Sequence, residues 1–288
     1  MSKVKPLLLA GLTALAIGCG RSKPKRDTII CHVGGTMRPV IEELAAQFKV
    51  DTGKTVEINS AGSGELLAHI EMQKSGDVYV CHDPFLDILM RKKLGVDGWT
   101  ISELVPCIVV QKGNPKHITG LKDLARDEVS VFLTDYKLST LGRMLETMFR
   151  KVDIELSLLQ KNKKNLNTNK SGSYVANMVK MKNADAAMCW TAVAALRKDD
   201  LDVIELPVGH LPIPFVDAIS SATGKSYALT PVRVTAATLK CAENEALAND
   251  FIQYILSPDR KKTYEAFGYN VDHIRQEYAN GKKYRKRK

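Results

Sequence analysis

The 288-residue sequence predicts an α/β fold built on mostly parallel strands. The first observation behind this prediction is that short β-rich runs alternate with amphipathic helical patterns from Asp27 onward. The second is the composition, because 44% apolar residues are enough for one large domain or for two lobes around a sizeable core. A disordered, collagen-like or disulfide-stapled chain is therefore excluded.

The first strand and the first helix are predicted within residues 28–49. The run TIICHV at Thr28–Val33 predicts a strand, and apolar residues recur at helical spacing through MRPVIEELAAQFK, residues 37–49. We expect Thr36 to cap this helix, Pro39 to lie in its first turn and Gly53 to follow its end.

The same unit then repeats along the chain. Strands are predicted at Thr55–Asn59 and Asp77–Cys81, with a helix from Glu65 through Met72 between them. Ser63 is expected to cap that helix at its N-terminus. In an open parallel sheet all strand-to-helix junctions lie at one edge, where ligands bind, so we expect Thr36 and Ser63 at that edge.

A second set of elements follows a strand and crossover at Leu104–Gln111. The polar stretch Leu158–Ser173 is expected to be an exposed surface excursion, and prolines 207, 212 and 214 mark an extended return. The other predicted elements are the strands Val129–Thr134, Asp185–Trp190, Asp202–Leu206 and Tyr227–Leu239 and the helices Leu141–Lys151, Tyr174–Met181, Thr191–Lys198 and Glu243–Leu256.

The net charge of +10 is located at the two ends of the chain. Residues 1–27 contain six basic side chains and one acidic one, and residues 282–288 contain six basic side chains. Residues 28–281 contain 30 basic and 31 acidic side chains, so the body of the protein is close to neutral. A nucleic-acid groove needs a basic face within the folded body, so no nucleic-acid partner is expected.

The N-terminus has the features of a secretion signal. Lys3 and Lys5 precede an apolar run, Pro6–Ile17, which is too short to span a bilayer. The run ends in small residues before Cys19, which resembles the lipobox of bacterial lipoproteins and predicts lipidation of this cysteine. Residues 1–19 are then the signal peptide, 20–27 a polar tether and 272–288 a basic C-terminal tail; the alternative is an ordinary signal peptide with an incidental Cys19.

Catalytic, cofactor and metal motifs are not complete in this sequence. Ser63 is flanked by Ala61 and Glu65 where a serine-hydrolase elbow needs glycines, and no phosphate-binding G-x-x-x-x-G-K-[ST] segment or dinucleotide fingerprint is present. The dipeptides Cys31-His32 and Cys81-His82 fall on strands, where neighbouring side chains point to opposite faces. We therefore expect no cofactor, no protein-bound metal and no enzymatic activity.

The two glycine-containing junctions are candidates for anion capture. Helix N-termini attract anions because their first amides lack intrahelical acceptors and because the helix dipole is positive there. Thr36 and Ser63 add small neutral hydroxyl groups at these points. The alternative is that both residues only cap their helices.

Several phrases of the sequence resemble one family over roughly residues 28–270. They include GGTMRPVIEELAAQF, TGKTVEINSAGSGELLAHIE, DVYVCHDPF, GSYVANMV, ADAAMCW and ANDFIQYILSPDRKKTYEAFGY. These phrases are similar to the periplasmic molybdate/tungstate-binding proteins of ABC importers. The resemblance implies a two-lobe periplasmic-binding-protein fold with a mostly parallel sheet in each lobe and the ligand in the cleft between the lobes. Lobe I would comprise residues 28–106 and 228–271, and lobe II residues 107–227.

The resemblance also implies a set of ligand-binding residues. Thr36 stands where the family commonly has serine, and Ser63 matches the second serine of the family. Leu141 and Val175 stand at positions where the family presents backbone amides, and Trp190 stands where tyrosine is usual. The family's Pro-Ala-Gly turn is altered here to Thr-Leu-Gly, residues 140–142.

The function implied by the resemblance is capture of molybdate or tungstate outside the cytoplasm by a lipid-anchored monomer, which delivers it to an ABC permease and its ATPase. The hinges would lie near residues 105–108 and 213–228. Alternative ligands are sulfate, phosphate, phosphonate and ferric ion, although ferric carriers use tyrosine pairs, for which Tyr227 alone is a poor substitute. Alternatives from other classes are a lipid-anchored enzyme using His82, Asp83 or Cys81, and a structural or adhesin-like lipoprotein.

Overall fold

The computed structural model describes residues 27–136, 139–169, 171–213, 217–220, 226–228, 232–269, 271 and 277–278. The predicted signal peptide with Cys19, nearly all of the tether and nearly all of the basic tail lie outside these residues. Within the described part of the chain, no helix combines the length and the apolar character needed to cross a membrane.

The described elements alternate along most of the chain. The strands are β1 Thr28–Gly34, β2 Thr55–Ala61, β3 Val78–His82, β4 Gly95–Glu103, β5 Pro106–Gln111, β6 Val131–Thr134, β7 Leu166–Asn169, β8 Ala186–Trp190, β9 Leu201–Glu205, β10 Ala218–Ser220, β11 Ser226–Ala228, β12 Arg233–Leu239 and β13 Glu277–Tyr278. The α-helices are α1 Arg38–Thr52, α2 Ser63–Gln73, α3 Phe85–Arg91, α4 Thr140–Arg150, α5 Leu156–Asn162, α6 Gly172–Lys180, α7 Thr191–Ala195, α8 Glu245–Ile255 and α9 Lys261–Ala266.

Two mixed sheets flanked by helices form the two lobes. The first sheet has the strand order β13-β4-β12-β3-β1-β2, and the second has the order β7-β6-β8-β5-β9. Strand β1 is parallel to β2 and β3, and β6 is parallel to β7 and β8, but the other pairings in both sheets are antiparallel. The two-lobe α/β fold is confirmed. The sheets are mixed rather than mostly parallel, because β5 and β12 run back beside strands of their own sheets.

The chain passes between the two sheets at adjacent points. Strand β4 ends at Glu103 and β5 begins at Pro106, so the first passage takes two residues. The return from the second sheet passes Val232, which directly precedes β12 and whose carbonyl accepts a hydrogen bond from the Leu104 amide at 2.8 Å. The segment that leaves the first sheet and the segment that returns to it are thus hydrogen-bonded to each other beside that sheet.

The structure corrects the predicted helix caps. Helix α1 begins at Arg38 with Met37 in the N-cap position, and helix α2 begins at Ser63 with Gly62 in that position. Neither N-cap residue caps through a side chain, so the prediction that Thr36 and Ser63 are caps is wrong. The reason at α1 is a turn closed by the Met37 amide and the Gly34 carbonyl, which places Thr36 before the helix. Gly53 ends α1 in the left-handed region, with φ of 72°, as predicted.

Other predicted elements also need correction. The stretch Leu158–Ser173 is not only an exposed excursion, since it contains most of α5 and the edge strand β7. The predicted strand Tyr227–Leu239 is two strands, β11 and β12. Strand β4 was not predicted, because glycines interrupt its pattern. A Cβ at Gly98 would lie 2.8 Å from Leu86 Cδ1, so these glycines allow α3 to pack on the strand.

Asp77 connects the start of β3 to two other parts of the first lobe. Its side chain is 5% exposed, and Oδ2 accepts a hydrogen bond from the Ile30 amide at 2.8 Å. Oδ1 accepts hydrogen bonds from the amides of Glu243 and Asn244 at 2.8 and 3.2 Å, just before α8. One carboxylate therefore holds β1, β3 and the segment that leads into α8 together.

We predict that Asp77→Ala lowers the free energy of unfolding by about 3 kcal/mol, because three backbone amides, one buried and two partly buried, lose their acceptor. Urea unfolding followed by circular dichroism measures this change. Asp77→Asn keeps one acceptor oxygen and should lose less stability. Asp27→Ala, which removes an exposed ion pair with Lys54, should lose at most about 1 kcal/mol. Equal losses for Asp77→Ala and Asp27→Ala would contradict the role given to Asp77.

Candidate functional site

The first two strand-to-helix junctions are in contact at one edge of the first sheet. The Gly35 amide donates to the Ala61 carbonyl at 3.0 Å, which joins the turn after β1 to the end of β2. Gly34 has no side chain, and a Cβ placed there would lie 2.5 Å from Ser63 Oγ. The missing side chain at Gly34 therefore lets β1 pack directly against the first residue of α2.

The Ser63 hydroxyl is the most distinctive polar group at this edge. Ser63 is 5% exposed, and its Oγ atom is buried without a hydrogen-bond partner among the described residues. The Ser63 carbonyl accepts a 2.5 Å hydrogen bond from Tyr79 Oη, which fixes the backbone of the residue. Burial raises the pKa of Tyr79, so its hydroxyl stays protonated as a donor. An unpaired buried hydroxyl costs free energy unless a ligand satisfies it.

Thr36 lies in the turn between β1 and α1 and is partly buried. Its carbonyl accepts a hydrogen bond from Tyr269 Oη at 2.8 Å. Tyr269 is 4% exposed, and burial raises the pKa of its hydroxyl, which keeps this donor protonated. The turn that carries Thr36 is thus fixed by its own backbone and by Tyr269, which lies 233 residues further along the chain.

Leu141 lies in the first turn of α4, in the second lobe. Ser139 caps this helix, because its Oγ accepts a hydrogen bond from the Gly142 amide at 3.3 Å. A Cβ at Gly142 would lie 2.1 Å from the Asp135 carbonyl oxygen, so the first turn of α4 packs directly on the end of β6. The Leu141 side chain is buried, and its amide is among those that the helix geometry leaves without an intrahelical acceptor.

The predicted role of Val175 requires a backbone amide without an intrahelical acceptor, and the amide of Val175 has one. Its amide already donates to the Ser171 carbonyl at 3.1 Å, within the first turn of α6. Helix geometry leaves the amides of Gly172 and Ser173 as the ones without intrahelical acceptors. A ligand at this helix start would therefore meet Gly172 and Ser173 before Val175. The capping serine, Ser171, was the available sequence signal for the start of α6.

Trp190 ends β8 and directly precedes α7. It is 7% exposed and lies opposite Pro106, the residue with which the chain enters the second sheet. The start of α6 is adjacent, because a Cβ at Gly172 would lie 3.9 Å from Cys189 Cβ. The next residue, Thr191, donates through Oγ1 to the Gly268 carbonyl at 2.9 Å. Trp190 thus lies beside the start of α6 and beside a contact with the C-terminal segment.

The predicted site residues are uncharged, and the reactive groups nearby are held in other interactions. Asp83 accepts hydrogen bonds from the amide, Nε and Nη2 of Arg233, at 3.0, 2.6 and 2.7 Å. Burial raises the pKa of Cys81 to about 12, and desolvation lowers the pKa of His82. A catalytic site built on these three residues therefore has neither a free carboxylate nor a thiolate. Among the described residues, no three histidine, cysteine or acidic side chains form a group that could hold a metal ion.

A groove of about 710 Å³ lies elsewhere in the second lobe, between α4 and α5. It contains none of the predicted ligand-binding residues. Its charged lining includes Arg143 and Arg150 but also Glu146 and Asp153, so charges of both signs face it.

Comparisons with known proteins agree with this architecture. Residues 31–270 match the model of the family described as bacterial extracellular solute-binding protein. A protein of Haemophilus influenzae that is named as a binding protein is 26% identical over 181 residues, which cover 62% of this chain and 72% of that protein.

Solved structures share the fold at low sequence identity. A substrate-binding domain from Clostridium difficile, assigned to a molybdenum ABC transporter, has a TM-score of 0.63 and 18% identity, with 84% of this chain and 98% of that chain covered. The periplasmic molybdate-binding protein of Azotobacter vinelandii has a TM-score of 0.66, 14% identity and the same coverage. The sulfate-binding protein SubI of Mycobacterium tuberculosis has a TM-score of 0.64 and 15% identity over 85% of this chain and 88% of that chain. Similarity at these identities shows the fold and leaves the ligand open.

We predict that Gly34→Ala lowers the free energy of unfolding by about 1–3 kcal/mol, because the new methyl group meets Ser63 Oγ and Met37 Cε at 2.5 and 2.6 Å. Gly120→Ala is the matched control, since a Cβ at Gly120 has no atom within 4 Å. Urea unfolding of both variants measures the difference. If Gly34→Ala were as stable as Gly120→Ala, the close packing described between Gly34 and Ser63 would be contradicted.

Proposed function

The chain belongs to the bacterial extracellular solute-binding protein family, and from this premise we propose that it captures molybdate or tungstate between its two lobes. The observation that carries the proposal is the buried Ser63 hydroxyl, which lacks a partner among the described residues and lies against the turn that contains Thr36. The second lobe supplies the first-turn amides of α4 and α6 and the indole N–H of Trp190. All of these groups can donate a hydrogen bond.

A dianion can be bound by such a site without a positively charged side chain. Hydrogen bonds to a charged group contribute about 1.5–3 kcal/mol each, because aligned dipoles in a water-poor cleft interact strongly with a full charge. The helix starts add their positive dipole ends. These values are already net of the hydrogen bonds that the groups lose to water, so three to five such donors favour binding of the ion.

The donor set favours a fully deprotonated oxyanion. Phosphate at neutral pH carries a proton, which needs an acceptor in the site. The first-turn amides of the second lobe and the Trp190 indole N–H donate but do not accept. Among the proposed site residues, the proton could therefore go only to the hydroxyl oxygen of Thr36 or Ser63, which would then not donate to that oxygen of the ion. Molybdate, tungstate and sulfate carry no proton at neutral pH. Sulfate is the smaller ion, and in a cavity sized for molybdate it would leave some donors out of reach.

The same proposal covers how the bound ion is delivered. Lobe I comprises residues 28–106 and 228–271, lobe II comprises residues 107–227, and hinges lie near residues 105–108 and 213–228. Leu104 and Val232 lie one residue before the first hinge range and four residues after the second, and the hydrogen bond between them supports two adjacent connections between the lobes. Closure of the lobes around the ion gives the form that an ABC permease, driven by its ATPase, would recognise. The protein would act as a monomer outside the cytoplasm, held at a membrane by lipid on Cys19.

A thermal-shift panel tests the ligand directly. The chain from residue 27 onward is heated with molybdate, tungstate, sulfate, phosphate or ferric citrate. A ligand at a hundred times its Kd adds about 2.7 kcal/mol to the stability of the native state, so a true ligand raises the Tm clearly. Shifts with molybdate and tungstate alone are expected. A shift with sulfate or phosphate would keep the solute-binding role but replace the ligand, and no shift with any anion would contradict the proposal.

We predict that Ser63→Ala weakens molybdate or tungstate binding by about 10- to 150-fold, which corresponds to one charge-assisted hydrogen bond. The ligand-free variant should be as stable as the wild type or more stable, because the substitution removes an unpaired buried hydroxyl. Titration calorimetry and urea unfolding measure the two effects.

The control for Ser63→Ala is Thr235→Val. The Thr235 hydroxyl is buried and donates to the Cys81 carbonyl at 3.1 Å, so its removal should lower stability and leave the Kd unchanged. If Ser63→Ala behaved like Thr235→Val, the Ser63 hydroxyl would be structural and the proposed site would be contradicted.

A further inference from the structure

Gly268 and Tyr269 contact both halves of the candidate site. Tyr269 Oη donates to the carbonyl of Thr36 at 2.8 Å, in the first lobe. One residue earlier, the Gly268 carbonyl accepts a 2.9 Å hydrogen bond from Oγ1 of Thr191, which directly follows Trp190 in the second lobe. We call the two residues Gly268 and Tyr269 the C-terminal strap.

The conformation of the strap depends on its residue types. Gly268 has a φ of 75°, and a Cβ there would lie 2.7 Å from both the Thr191 carbonyl oxygen and Ala195 Cβ. Only a glycine lets the backbone approach the start of α7 so closely in this left-handed conformation. Tyr269 is buried, and its ring packs edge-on against Tyr264, with ring centroids 6.2 Å apart.

The strap is itself held firmly. The Tyr269 amide donates to the Tyr264 carbonyl at 3.1 Å, which ties the strap to the end of α9. Helix α9 packs on α1 in the first lobe. The strap is therefore attached to the first lobe through the backbone of Tyr264 and reaches from there to the second lobe. The Tyr264 hydroxyl takes no part in this attachment, because it donates to the Ile255 carbonyl at 3.0 Å.

We propose that Tyr269 and Thr191 are positioning residues, which act through the strap to set the distance between the Thr36 turn and the Trp190 end of the second lobe. Neither side chain needs to touch the ligand. Tyr269 fixes the peptide group that follows Thr36. Thr191, the residue after Trp190, is fixed to the strap by its hydrogen bond to the Gly268 carbonyl. The inference rests on the proposed function, in which the distance between hydrogen-bond donors decides which oxyanion fits. The strap is inferred to set that distance.

The physical reason is preorganisation. A site that binds a small ion with uncharged donors gains most when those donors are already at the right separation, since the ion then does not have to order them. Loss of either strap hydrogen bond lets the two halves move relative to each other. Affinity and discrimination by size should then fall more than global stability does.

The test uses Tyr269→Phe, Thr191→Val and the double variant, with Tyr264→Phe as the matched control. Tyr264→Phe loses a tyrosine hydrogen bond of similar length from the same C-terminal region but leaves both strap contacts in place. Calorimetric titration with tungstate and with sulfate gives the Kd of each variant and the ratio of the two Kd values. Amide hydrogen exchange of residues 34–41 is measured in the absence of any ligand.

We expect each single strap variant to weaken tungstate binding by about 3- to 10-fold and to lower the preference for tungstate over sulfate. The double variant should weaken it by less than the product of the two single effects, because both act on one strap. Thr191→Val, although it lies in the second lobe, should speed exchange in residues 34–41 of the first lobe. Tyr264→Phe should lower stability without changing the ratio of the tungstate and sulfate Kd values or the amide exchange of residues 34–41.

Two results would overturn the inference. Strap variants that lose stability as Tyr264→Phe does, with an unchanged Kd ratio, would show that the contacts are only structural. Unchanged exchange of residues 34–41 in Thr191→Val would show that the strap does not couple the lobes. A wild-type protein that binds no oxyanion would contradict the proposed function instead. Because amide exchange is measured without any ligand, it tests the coupling of the lobes even in that case.

Discussion

The direct contact between Gly34 and Ser63 is the constraint on which the candidate site depends. A side chain at Gly34 would occupy the space of the Ser63 hydroxyl in its present rotamer, so the absence of one lets the end of β1 and the start of α2 meet with this hydroxyl between them. This contact keeps Ser63 Oγ buried and without a described partner, and it holds the Thr36 turn beside it. Tyr79 and Tyr269 then fix the two backbones through their carbonyl groups, so these contacts do not use the hydroxyl groups of Ser63 and Thr36.

The second lobe contributes donors of another kind. Helices α4 and α6 are both capped by serine, and their first amides point away from the helix body. These amides and the two hydroxyl groups are neutral, so the site offers dipoles rather than an opposing charge. Such a site suits an ion whose charge is spread over several oxygens and that carries no proton. The ion pair of Asp83 and Arg233 is formed within the first lobe, between the residue that follows β3 and the first residue of β12.

Sequence reasoning predicted the local elements whose signals are local. Thr28–Val33, the helix ended by Gly53 and the strand that ends in Trp190 are all present. Thr36 and Ser63 lie at the predicted junctions, but the prediction that they cap the helices is wrong, because a hydroxyl residue near a helix start predicts a cap unless the turn geometry is known. Strand β4 was missed because Gly98 serves the packing of Leu86, which no pattern within the strand reveals.

The contacts between distant parts of the chain could not be predicted from the sequence. Tyr269 lies 233 residues from Thr36, and the phrase that contains it was visible only as a family resemblance. For α6, family resemblance pointed to Val175, whereas hydrogen bonding in the structure makes Gly172 and Ser173 the exposed amides of that turn. These differences concern which backbone groups are already hydrogen-bonded within the protein, and a residue pattern does not contain that information.

The measurement that tests the central claim most directly is an anomalous difference map from crystals of the wild-type protein grown with tungstate, collected at the tungsten absorption edge. The account predicts one strong peak within hydrogen-bonding distance of Ser63 Oγ, Thr36 Oγ1 and the first-turn amides of α4 and α6. A peak at another place, such as the groove between α4 and α5, or no peak at saturating tungstate, would contradict it.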